Sequence, residues 1–348
     1  MSTTATHGVT TRLWRDGKVV EEEFPLSQVS EHLQVEGSLI WVDLCGPDHA
    51  ELGQLADELG LDPHAVEDAV TAHERPKATR HASHTFITMY ATRLALGGPD
   101  DARDHEGDAS QARASRLELQ RISAFVMPRG VITVRPDSRF DMGGVLQRWE
   151  DDRDLLAYGV GTLVHGLIDT VVDGHFETIQ QLDDAIEGLE DLLFEERDRT
   201  RQVQLHTYRL RKELVEMRRV VLPMREVVNG VLRHRLDQAG HGPELDGYYD
   251  DLYDHVLRAA EWTESLRDMI TTVFETNLSL QDARLNTVMK KLTGWAAIIA
   301  VPTAVTGWFG QNIPFPGFGQ RSGLVTSGLI ILGMGIALYA VFRRRGWI

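Results

Sequence analysis

The chain has 348 residues, 52 Asp and Glu against 36 Lys and Arg, and a formal net charge of −16. That balance excludes a nucleic-acid binder, whose partner's phosphates demand a basic surface; it suits a cation-handling protein and equally suits ordinary solubility. The single cysteine, Cys45, excludes an internal disulfide and a thiolate metal cluster, and fits a reducing, cytosolic body.

Residues 1–11 are polar and contain no apolar core, so no signal peptide is expected. Up to about residue 160 short strand-like runs mix with helical ones. Residues 38–44 (SLIWVDL) read as a strand, 51–59 as a helix, and Asp62-Pro63 as the start of another helix, with Asp as the cap and Pro in the first turn. Residues 86–94 and 122–134 read as strands, the latter a pair turned at Pro128-Arg129-Gly130. Between them, 97–115 is rich in Gly, Asp, Arg and Ser and reads as a flexible insertion. An α/β domain over 1–160 is expected.

Helix dominates after about residue 162. Val172, Phe176, Ile179, Leu182, Ile186, Leu189 and Leu193 recur at steps of three and four, opposite a face carrying Glu177, Asp183, Asp184, Glu187 and Glu190. That acidic face is what a solvated helix shows. A second helix covers 200–236, where Pro223 kinks it or is absorbed locally. A third pattern starts near Leu245 and meets no strong breaker until Gly294. Unbroken to Phe309 it makes a stalk about 100 Å long at about 1.5 Å per residue. One chain cannot pack every side of such a stalk, so several copies are expected to assemble.

The C-terminal region holds the most informative pattern. Two apolar segments, 292–309 and 324–342, flank a loop opening with Gly310-Gln311-Asn312. Each is close to the ~20 residues that cross a ~30 Å hydrocarbon core. Lys290 and Lys291 precede the first, Arg343, Arg344 and Arg345 follow the second, and the loop carries only Arg321. The positive-inside rule therefore puts both termini in the cytoplasm. The organisation expected is a cytoplasmic α/β domain (1–160), a helical stalk (161–290) and a transmembrane hairpin (291–348), its spans at about 292–311 and 324–342 around an outer loop at 312–323.

From Asn286, the steps to Met289, Leu292 or Thr293, Ala296, Ala300, Thr303, Gly307 and Gly310 trace one helical stripe. Apart from Met289 and Leu292 it is small or polar, as a pore lining needs. Asn312 taken alone is as readily a helix C-cap. Four histidines, His64, His73, His81 and His84, cluster in the N-terminal domain. They read as surface or interface residues, because no ligand triad with an open position stands out. No Gly-x-x-x-x-Gly-Lys-Ser/Thr phosphate loop occurs, and no nucleophile–base set marks an enzyme.

The stretch Asn286-Thr287-Val288-Met289-Lys290-Lys291-Leu292-Thr293, followed by Gly307-Trp308-Phe309-Gly310-Gln311-Asn312, resembles the CorA family of divalent-metal channels. The segments 64–69 (HAVEDA), 74–77 (ERPK) and 251–255 (DLYDH) agree, so the resemblance covers nearly the whole chain. It implies an α+β membrane protein: a homopentameric funnel in the cell membrane, conducting Mg²⁺ with Co²⁺ or Ni²⁺ tolerated, and binding Mg²⁺ as both substrate and regulator with no other cofactor. It also implies a cytoplasmic ring at Asn286, a hydrophobic constriction at Leu292, a polar ring at Thr303, and an outer selectivity site at Gly310, Gln311 and Asn312. Glu67, Asp68, Asp169 and Asp251 match positions that bind regulatory cations between subunits. The chain departs from that pattern in three places: Gln311 replaces the usual Met, the loop 313–321 contains no acid, and Ala300 stands where a bulky apolar residue is common. The first two keep open the ZntB branch, associated with zinc and proton coupling.

Overall fold

The computed structural model describes residues 8–71, 74–95, 115–194, 200–236, 243–311 and 314–348. The expected insertion at 97–115 lies outside them except for Ser115. The chain divides into two compact units, Met1–Thr271 and Thr272–Ile348, a coarser division than the three parts expected.

The first unit is built on a seven-stranded sheet: β1 (Gly8–Arg15), β2 (Lys18–Glu22), β3 (Ser38–Cys45), β4 (Lys77–Arg80), β5 (Thr85–Leu94), β6 (Leu117–Met127) and β7 (Gly130–Arg135). The order is β2-β1-β3-β7-β6-β5-β4. Only β3 and β7 run parallel; the other neighbours are antiparallel. Asp16 (φ 50°) and Gly17 (φ 72°) turn β1 into β2, the left-handed pair that a two-residue Asp-Gly hairpin requires. At the open edge, β2 is exposed along its whole length and leads into Glu23, itself at φ 56°.

One sheet face is covered by α1 (Val29–Gln34), α2 (His49–Leu59) and α3 (Pro63–Val70), around Leu52, Leu55, Ala65, Phe86 and Phe125. Both longer helices start as their sequences dictate. Asp48 and Glu51 form a reciprocal capping box on α2, while Asp62 accepts from the amides of His64 and Ala65 with Pro63 in the first turn of α3.

The other face carries α4 (Met142–Asp151), α5 (Val160–Phe194), α7 (Met224–Leu236) and the start of α8 (Asp246–Phe309), packed around Trp14, Trp41 and Trp149. Trp149 stands edge-on to both other indoles, at 5.9 and 5.4 Å between ring centres. Its Nε1 donates to the Leu163 carbonyl at 3.2 Å. A Cβ on Gly166 would lie 2.6 Å from that nitrogen, so glycine there is a packing requirement.

The reading of one helix over 200–236 is corrected. Pro223 separates α6 (Thr200–Val221) from α7, because it has no N–H to continue the ladder; its carbonyl instead accepts from Glu226 and Val227 at the start of α7. The long third helix is continuous: α8 runs 64 residues through Pro302. Within the second unit it is followed by α9 (Arg321–Arg344). By length and composition α8 and α9 are both apolar enough to cross a membrane, and neither is a buried core helix: 11% and 0% of their most apolar windows are covered.

Candidate functional site

The second unit presents the stripe read from the sequence as one face. At about 100° per residue, Asn286, Met289, Leu292, Ala296, Ala300, Thr303 and Gly307 on α8, with Gly310 just beyond it, fall within about 120° of arc. All eight are exposed, and Leu292 is 62% exposed. The buried positions of the same helix segment, Gly294, Val301 and Val305, centre about 150° away. There a Cβ on Gly294 would meet Ile348 Cδ1 at 3.1 Å and Phe342 Cδ2 at 3.7 Å, so this is the face toward α9 and the C-terminal residues. The helix thus turns one side to its hairpin partner and leaves the small and polar stripe unpartnered on the opposite side.

At the end of α8 the Gly310 amide donates to the Thr306 carbonyl at 2.8 Å, and that of Gln311 to the Trp308 carbonyl at 3.3 Å. A Cβ on Gly310 would lie 2.9 Å from that Thr306 oxygen, a backbone atom that no rotamer change can move. The third residue of the signature, Asn312, lies outside the described residues. Beyond it the loop has order that sequence reasoning missed: Phe309, Phe315 and Phe318 meet edge-to-face at 5.0 and 5.3 Å. Gly317 (φ +91°) lies so close to Gly323 that a Cβ on Gly323 would fall 2.4 Å from the Gly317 carbonyl oxygen. Three phenylalanines within ten residues were the signal available.

The candidate cation ligands of the first unit occupy unlike settings. Glu67 is exposed on α3. Asp68, one residue on, is held by Lys77 Nζ at 2.6 Å, which also reaches Glu74 at 3.0 Å. Asp251 on α8 is 72% exposed in its side chain, its nearest ionic partner being His255 Nε2 at 3.8 Å. Asp169 differs from the other three. It is 6% exposed, paired with the Arg148 guanidinium, and burial pushes its carboxyl above the usual carboxylate range, opposed by Arg148 and His165. Arg148 also reaches Asp173 at 2.8 Å. Within one chain, then, Asp169 is paired with Arg148 and buried, where Glu67 and Asp251 are exposed. Among the described residues no group of three or more His, Cys, Asp or Glu is arranged to hold a metal ion.

The reading of the histidines as surface or interface residues is corrected at His84, whose ring packs against Phe125 and lies in the interior. His81 and His84 stack at 4.8 Å, and His81 Nδ1 lies 3.4 Å from Asp62 Oδ2. His84 is buried, and burial with the neighbouring His81 lowers its pKa to about 4. His64 is exposed, and His73 lies outside the described residues.

The family model described as CorA-like Mg²⁺ transporter protein matches residues 36–344. The chain belongs to the CorA family. It is similar to the cobalt/magnesium transport protein CorA of Thermotoga maritima, 26% identical over 312 residues covering 88% of this chain and 83% of the relative. It is also similar to CorA of Methanocaldococcus jannaschii, 25% identical over 339 residues covering 96% and 98%. The complete structure of the M. jannaschii CorA magnesium transporter superposes with a TM-score of 0.73 at 22% identity over all of both chains, sharing the α/β domain, the long helix and the C-terminal apolar helix. As a member of the CorA family of divalent cation transporters, the chain is a membrane protein, and it carries two helices long and apolar enough to span a bilayer.

Proposed function

We propose that several copies of this chain, five by family likeness, form a passive Mg²⁺ channel in the cell membrane with both termini cytoplasmic, Co²⁺ and Ni²⁺ being carried as well. The observation that carries this reading is the orientation of the stripe: its small and polar members face away from α9, where a central path shared by neighbouring copies needs them. Thr303 is its polar ring, Leu292 a constriction that blocks ions by dewetting, and Asn286 its cytoplasmic end. Mg²⁺ sheds water reluctantly, so carbonyls of Gly310 and side-chain amides of Gln311 and Asn312 suit it by bonding the hydrated ion without stripping it. The driving force is the membrane potential, about 4.6 kcal/mol for a divalent ion per 100 mV, roughly a thousandfold in concentration ratio.

Feedback comes from cytoplasmic cations. Glu67 and Asp251 are exposed carboxylates that one chain does not gather into a site. Bound between copies, a cation offsets their repulsion and favours a closed, symmetric state; its loss at low internal Mg²⁺ releases that state. Asp68 enters such a site only by exchanging Lys77 for the metal, and Asp169 supports it from within through Arg148. Gln311 and the acid-free loop favour a second reading, zinc transport of the ZntB type with proton coupling.

The test is uptake into liposomes loaded with a Mg²⁺-sensitive dye, wild type beside Asn312→Ala. Potential-dependent Mg²⁺ entry that the substitution abolishes is the expected result. Zn²⁺ entry under a proton gradient, without Mg²⁺ entry, would transfer the chain to the second reading.

A further inference from the structure

Just beyond α9 the stretch Arg345-Gly346-Trp347-Ile348 turns the chain back on itself. Gly346 takes φ +69°, and a Cβ there would meet nothing within 4 Å. Glycine is therefore required by the left-handed conformation and not by space. The Trp347 amide donates to the Phe342 carbonyl at 2.9 Å, and the Gly346 amide to the Arg343 carbonyl at 3.2 Å. These are the two bonds of a Schellman motif, and the apolar contact that accompanies it is present too: the Trp347 and Phe342 rings stack at 5.3 Å and 10°. The turn is fixed twice, by backbone bonds and by ring packing.

Its product is the placement of Ile348. A Cβ on Gly294 would lie 3.1 Å from Ile348 Cδ1, 3.2 Å from Ile348 Cγ1 and 3.7 Å from Phe342 Cδ2, so Ile348 rests against the bare backbone of α8 at this glycine. Among the described residues of α8 between Asn277 and Val301, Gly294 alone is buried. Over about six turns, then, the helix has one buried point within its own chain, and the turn at Gly346 covers it. Leu292 stands two residues away, about 3 Å along the axis and on the opposite side of the helix, 62% exposed. Contact at a single level fixes the rotation of the helix there and leaves it free to bend above and below.

We propose that Phe342, Trp347 and Ile348 form a clasp that sets the rotation of α8 at the level of Leu292, which makes them positioning residues for the apolar constriction. The proposal rests on the channel reading, in which Leu292 closes the path. With the clasp seated, Leu292 of each copy is aimed at the shared axis. With it undone, the segment around Leu292 turns and the closed state loses its seal.

The test perturbs the turn where no contact exists. Gly346→Val forces a β-branched residue into the left-handed region, whereas Gly346→Asn supplies a residue that tolerates it. Each is made in full-length protein with Leu292→Cys, and the disulfide yield between copies under mild oxidation is read on non-reducing gels; Cys45, 7% exposed, stays in place. At saturating internal Mg²⁺, Gly346→Val and Ile348→Ala should each lower that yield about threefold, since disulfide geometry is exacting. With Leu292 retained, each should raise residual Mg²⁺ influx into dye-loaded liposomes about tenfold, by opening an apolar seal. Gly346→Asn should match the unaltered turn in both readings. The two substitutions together should do no more than either alone, because they undo one contact. Size-exclusion elution should stay as in wild type; dissociation of both variants would make the turn an assembly element and overturn the proposal. Unchanged yield or unchanged influx in Gly346→Val and Ile348→Ala overturns it, as does an equal effect in Gly346→Asn. Failure of the channel reading looks different: the unaltered turn itself would then give neither cross-linking at residue 292 nor Mg²⁺ influx.

Discussion

The orientation of α8 can be tested residue by residue by placing single cysteines along it and treating each with a cationic methanethiosulfonate reagent. The background is favourable: the only native cysteine, Cys45, is 7% exposed, and burial raises its thiol pKa, leaving little reactive thiolate. Cysteines replacing Ala296, Ala300, Thr303 or Gly307 should be modified, since all four face away from α9. Cysteines replacing Val301 or Val305 should resist, since those side chains are 7% and 9% exposed. One added positive charge about 4 Å from a passing divalent ion costs about 8 kcal/mol at an effective dielectric constant of about 20. Even a partly screened adduct should therefore reduce Mg²⁺ influx into dye-loaded liposomes more than a hundredfold, about 2.7 kcal/mol. Block at Val301 and Val305 with none at Ala300 and Thr303 would refute the argument outright, because it would place the conduction path on the helix face turned to α9.

Asp251→Asn should weaken inhibition by internal Mg²⁺ about tenfold, about 1.4 kcal/mol of cation binding, read as a shift in the inhibitory concentration in the same liposomes. Asp169→Asn should destabilise the protein by about 1–3 kcal/mol, because Arg148 loses its buried partner while keeping Asp173; chemical denaturation monitored by tryptophan fluorescence measures it. Acid should destabilise the first unit through His84 and His175, both lowered by burial to about 4. Between that value and the ordinary ~6.5 the unfolded chain binds the proton first, so stability present at neutral pH is lost as pH falls, by about 2 kcal/mol per histidine at pH 5. In His175→Gln the slope of melting temperature against pH should be shallower, since the proton-binding difference at that position is gone.

The cues that proved legible were local ones. Asp62 with Pro63 fixes the start of α3 from adjacent residues, and the run at 38–44 is apolar enough to mark β3; the equally local Asp48–Glu51 box went unread, and α2 starts at His49 rather than at residue 51. The β1–β2 hairpin carried an equally local signal in Asp16-Gly17 and was hidden because its strands, especially β2, lack an apolar rhythm. Pro223 was visible, but whether the chain bends or breaks there depends on what packs against it. The stripe on α8 could be counted from Asn286; that it faces away from α9 required Gly294, Val301 and Val305 to be seen buried. The charge state around the carboxylates was least legible. Asp68 with Lys77, and Asp169 with Arg148, pair across nine and twenty-one positions, and no periodicity reports which cation folds back onto which acid.

The open sheet edge acquires a meaning once the chain is fixed in a bilayer. Confinement to two dimensions holds copies at high local density, the condition under which unpaired strand edges fuse into continuous sheets. Here β2 is five residues long, ends in Glu21 and Glu22, and runs into Glu23 in a left-handed conformation; the register with β1 is broken between Leu13 and Trp14. At the far edge, β4 is only four residues and has α7 beside it. Short, bulged and negatively charged, the free edge acts as a fender: neighbouring bodies can jostle on the membrane for the lifetime of the cell without their sheets knitting together.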